Sequence, residues 1–67
     1  MDRYKLEYEM KKRHISQDTL CREVGMSRSA FYRKCSGKSD FTLTEINKIT
    51  KFLGVSPDGI FFNVEVS

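Results

Sequence analysis

Punctuation constrains this chain more than composition does. Ser16, Ser27 and Thr42 each stand directly before a run of helix-forming residues, and Gly25 and Gly54 close two of the runs. A Ser or Thr side chain accepts from the free amides at a helix start, and glycine closes a helix end without steric cost. The chain is therefore cut into short helices at about residues 3–13, 17–24, 28–35 and 43–53. Thr42 and Glu45 fit the T-x-x-E capping box. Ser56-Pro57 places proline at a first helical position and predicts a short fifth segment. Helices this short are marginal alone in water, so they must pack on one another. The expected class is all-α.

The apolar positions show how. Leu6 and Met10 share a face at i, i+4. Tyr4 and Tyr8 form a second pair on nearly the opposite face, which predicts that the first helix is contacted on two sides. Leu20, Cys21 and Val24 face inward from the second helix. Leu43, Ile46, Ile49 and Leu53 form the stripe of the fourth, with Phe52 beside it. The tail alternates Ile60, Phe62, Val64 and Val66 against Phe61, Asn63 and Glu65, the period of a short strand over 60–67. A lone strand needs a partner. Either the tail pairs with its twin across a two-fold axis, or its aromatics fold back onto Tyr4 or Tyr8.

At 67 residues the chain reads as one domain, 1–67, near the size where one core only just suffices. Two cysteines and one histidine show no metal-ligand spacing, so no metal is expected. No apolar run approaches the roughly 20 residues that span a bilayer. Without a secretory signal, reduced thiols and a cytoplasmic location are the expectation. His14 has no acid or nucleophile partner and there is no phosphate-cradling glycine loop. Neither an enzyme nor a cofactor is expected.

The net charge of +3 is unevenly spread. Residues 28–40 hold four basic groups and one acid, while residues 1–27 hold six and five and residues 41–67 two and three. Clustered positive charge suits a polyanion partner, though a solvated face looks the same. Two helices joined by Gly25-Met26-Ser27 form a helix-turn-helix over about 17–35. At about 100° per residue, Arg28, Ser29, Tyr32 and Arg33 share an arc of about 140° turned away from Phe31. In such motifs the start of the second helix meets base edges, and arginine grips guanine with two donors. Gln17 opens the preceding helix, where amides attract a phosphate. Ser36 and Lys38 are placed to hold the backbone beyond the second helix. The competing reading leaves Arg28 and Arg33 as ordinary exposed residues.

The stretch "ISQDTLCREVGMSRSAFYRKCSGK" resembles the Cro/cI-type, XRE-like helix-turn-helix domain. The shared pattern is Ser16, Gln17, Leu20, Cys21, Gly25, Met26 and Ser27, and the later "LGVSPDGIF" resembles the family's fourth and fifth helices. The resemblance covers about residues 4–62. "FYRK", "GKSDFT" and the terminal "IFF" look closest to small phage and prophage regulators of Gram-positive hosts. It implies a compact five-helix, lambda-repressor-like fold and a homodimer on double-stranded operator DNA. Gln17 takes the phosphate-contacting place, Arg28, Ser29 and Arg33 the base-reading places with Tyr32 between them, and Ser36 and Lys38 the later backbone contacts. A chain this short suggests a Cro-like repressor in a bacterial cytoplasm. The rival is a protein-interaction module such as an anti-repressor or antitoxin-type regulator.

Three positions depart from the family pattern. Met10 and Cys35 stand where an arginine and a glutamate commonly pair, and are expected to touch. Lys34 replaces a leucine, so its stem packs while its ammonium reaches out, or it reaches a phosphate; both readings stay open. His14 stands where glycine ends the first helix.

Overall fold

The computed structural model describes residues 1–62. Four α-helices run in order: α1 (Arg3–Lys12), α2 (Gln17–Val24), α3 (Arg28–Cys35) and α4 (Leu43–Leu53). A 3-10 turn, Pro57–Gly59, follows.

The caps form where the punctuation lies. Ser16 Oγ accepts from the Thr19 amide, Ser27 Oγ from Ala30 and Thr42 Oγ1 from Glu45. Glu45 completes its box by accepting the Thr42 amide at 2.9 Å. Asp2 caps α1 by accepting from Lys5 at 3.0 Å, a cap not singled out in the sequence. His14 holds a φ of 55°, the left-handed conformation that glycine takes at the end of a helix.

The core draws on every helix: Leu6 and Met10 of α1, Leu20, Cys21 and Val24 of α2, Phe31 of α3, and Ile46, Ile49 and Leu53 of α4. Ile60 and Phe61 close it. Leu20 and Ile49 are fully buried, and burying a side chain of that size contributes about 1.5–3 kcal/mol. α2 packs on both α3 and α4, which holds the helix-turn-helix against the rest.

Three expectations are corrected. Leu43 is 68% exposed, outside the α4 stripe. It is the first residue of the helix, and helical side chains tilt back toward the N-terminus, so this one leans past the helix start. Thr50 is buried instead, its hydroxyl donating to the Ile46 carbonyl at 2.8 Å. Tyr4 and Tyr8 are exposed, so α1 is packed on one face only. The fifth helix is a single 3-10 turn, because Gly59 follows Pro57 too soon to support an α-helix.

The tail also departs from the strand expectation. The Ile60 and Phe61 amides both donate to the Pro57 carbonyl, at 3.2 and 2.8 Å. These neighbours are both buried, which strand alternation forbids. Residues 63–67 of the expected strand lie outside the described residues. The chain does fold back here, onto different partners: Phe61 packs edge-on against Phe41 at 5.2 Å, and the Asp2 amide donates to the Ile60 carbonyl.

Candidate nucleic-acid interface

The turn between α2 and α3 sets the geometry of the site. Gly25 takes a φ of 76°, and the amides of Gly25 and Met26 both donate to the Cys21 carbonyl, at 2.8 and 2.9 Å. Met26 packs against the core and Ser27 restarts the helix. Phe31 is buried and meets Phe41 edge-on at 6.1 Å, fixing the rotation of α3. The opposite face of α3 is thereby presented outward.

That face carries the expected residues. Gln17, Arg28, Ser29, Tyr32 and Arg33 line one open groove with a volume of about 440 Å³. All five are exposed, Tyr32 by 62%. Arg33 makes no ion pair among the described residues, whereas Arg28 Nε lies 3.1 Å from Asp18 Oδ1. Gln17 is the first residue of α2, where the earliest amides have no intrahelical acceptor. Ser36 and Lys38 lie outside the groove, at the far end of α3. The Ser36 hydroxyl donates to the Arg33 carbonyl at 3.1 Å, and the Lys38 amide donates to the same carbonyl at 2.9 Å. Ser36 must release that bond to donate to a phosphate, while the Lys38 side chain is exposed.

Lys34 turns away from the groove. Its ammonium donates to both carboxylate oxygens of Glu45, at 2.6 and 2.7 Å, and lies 6.0 Å from the centre of the Phe41 ring. The two side chains are only 16% and 22% exposed. Burial pushes the Glu45 carboxyl up, but hydrogen bonds from Lys34 and Thr42 outweigh it and hold the group below its ordinary value. So of the four cations in the basic stretch, one is internal and one is shared with an acid. Phe41, Glu45 and Asp18 were not singled out from the sequence as parts of this arrangement. Their partners stand ten or more positions away, and no periodicity marks them.

Met10 and Cys35 reach the same cleft between α1 and α3, of about 240 Å³. Burial pushes the Cys35 thiol up to about 11, and the Cys21 thiol is raised for the same reason. Neither thiol is a ready thiolate. Among the described residues no three metal-ligating side chains come together, and no helix is long and apolar enough to cross a membrane.

A comparison with known families decides the class. The family model of the Cro/C1-type HTH DNA-binding domain matches residues 5–61. The chain belongs to this family. The Cro/C1-type domain accounts for the whole helical body, from within α1 to Phe61, and makes the protein a DNA-binding transcription regulator. Searches of the curated proteins and of the solved structures gave no match.

Proposed function

We propose that the protein is a Cro-like repressor of a phage or prophage, binding a pseudo-palindromic operator as a dimer and blocking access to a promoter. The observation that carries this reading is the single groove of Gln17, Arg28, Ser29, Tyr32 and Arg33 on the outer face of the helix-turn-helix. None of these side chains has a role in the core, and together they offer the donors that base edges and phosphates accept. In this reading Arg28, Ser29, Tyr32 and Arg33 meet bases, Gln17 meets a phosphate, and Lys38 and a released Ser36 hold the backbone.

One helix of this length reads only a few base pairs. A dimer doubles the site, with half-sites one helical turn apart, about 34 Å, or a multiple of it. Selection of bound duplexes from random DNA tests the reading, and the expected result is a two-fold symmetric motif. Arg28→Ala or Arg33→Ala is expected to cost about 1–3 kcal/mol on that site and to relax one base position in each half. Lys38→Ala is expected to weaken all sequences alike. Binding that ignores salt and survives both arginine substitutions would instead favour a protein-interaction module.

A further inference from the structure

Asp18 and Arg28 stand ten positions apart, and the tight turn brings them together at 3.1 Å. Asp18 is the second residue of α2 and Arg28 the first of α3. Their side chains are 61% and 68% exposed, so the pair adds little to folding stability. Arg28 lines the open groove, so this carboxylate sits beside a surface suited to a polyanion, where it repels phosphate.

The contact is an ion pair at Nε without hydrogen-bond alignment, and its place on the guanidinium gives the carboxylate a use. A guanidinium presents five donors in one plane. It can grip a base end-on with its two Nη groups, or side-on with Nε and one Nη. Asp18 Oδ1 lies beside the Nε edge, so a guanine acceptor approaching side-on would meet the carboxylate, while the end-on fork stays open for guanine O6 and N7.

Resting on the DNA-reading function above, we propose that Asp18 is a positioning residue for specificity. It orients Arg28 end-on toward one base, and its charge lowers affinity for DNA lacking that base. Asp18 itself touches no base.

The test compares wild type, Asp18→Asn, Asp18→Glu, Arg28→Ala and the double variant D18N/R28A by selection from random DNA. Anisotropy titrations on the selected duplex and on a scrambled one accompany it. Asp18→Asn should relax, by about three- to tenfold, the same base position that Arg28→Ala relaxes. It should also bind scrambled DNA more tightly, with an unchanged thermal midpoint. A merely structural role would shift the midpoint and weaken every sequence alike. The double variant should match Arg28→Ala, and Asp18→Glu should restore the preference. The assignment is overturned if Asp18→Asn keeps the wild-type motif, or relaxes a position that Arg28→Ala leaves sharp. A wild-type protein that selects no motif overturns the proposed function as well.

Discussion

The two ends of α3 each carry an ion pair to a neighbouring helix, in opposite surroundings. At the first residue, Arg28 meets Asp18 of α2 with both side chains more than half exposed. Near the last, Lys34 meets Glu45 of α4 with both under a quarter exposed, beside the Phe31–Phe41–Phe61 aromatic series. The exposed pair is screened by water and lies at Nε, which leaves both Nη groups of Arg28 uncommitted. The enclosed pair is charge-assisted, makes two short bonds and shares its carboxylate with a helix cap. The enclosed end anchors α3 to α4, and in the proposed function the exposed end is the one that reads DNA.

The largest effect should come from breaking the enclosed end. Glu45→Ala removes the reciprocal half of the α4 cap and strands the Lys34 ammonium where water reaches it poorly. A loss of about 2–4 kcal/mol in folding stability is expected, measured by urea denaturation. Asp18→Asn, at the other end, should stay within about 0.5 kcal/mol of wild type. Equal losses at both ends would remove the distinction between them.

The thiol at the enclosed end gives a second measure. With its pKa pushed up by burial to about 11, Cys35 is about 0.1% thiolate at pH 8, against about 10% for a thiol at the ordinary 9.0. A higher-pKa thiolate is also more nucleophilic, so alkylation by iodoacetamide at pH 8 should run roughly tenfold or more slower in the folded protein than in urea. Mass spectrometry of timed samples reads the rate at each cysteine. Glu45→Ala should speed the reaction at Cys35, and Asp18→Asn should leave it unchanged. A wild-type rate equal to the unfolded one would mean that this end of α3 is open.

The same contrast explains what was legible in the sequence. Caps, glycine ends and the outward arc of α3 depend on residues within a turn of one another, so Ser16, Gly25, Ser27 and Thr42 could be read directly. Arg28, Ser29, Tyr32 and Arg33 follow because Phe31, the one buried residue of α3, turns the opposite face outward. Lys34 could not be placed, because its direction is decided by Glu45, eleven positions on and in another helix. Leu43 matched the α4 stripe but sits where the helix starts, and periodicity does not register an end. The tail misled for a related reason: alternation suggested a strand, yet Ile60 and Phe61 enter the core together behind a proline turn.

Acid should reproduce a milder version of the Glu45 substitution. The Glu45 carboxyl is lowered in the fold, from 4.5, because the bonds from Lys34 and Thr42 outweigh its burial. A lowered carboxyl contributes stability that is complete above the unfolded value and is lost as pH falls through the folded one. Stability should thus hold down to about pH 5 and decline below roughly pH 4.5. Glu9, lowered by its hydrogen bond from Arg13, adds to the same decline. Protonation removes only the charge of Glu45 and keeps its bulk and an oxygen for the Thr42 amide, so the loss should be smaller than that of Glu45→Ala. Glu45→Gln should flatten the acid limb of a stability-versus-pH curve, with the Glu9 share remaining. An acid limb that ignores Glu45→Gln would remove the Lys34–Glu45 pair as the contact that holds this end of α3.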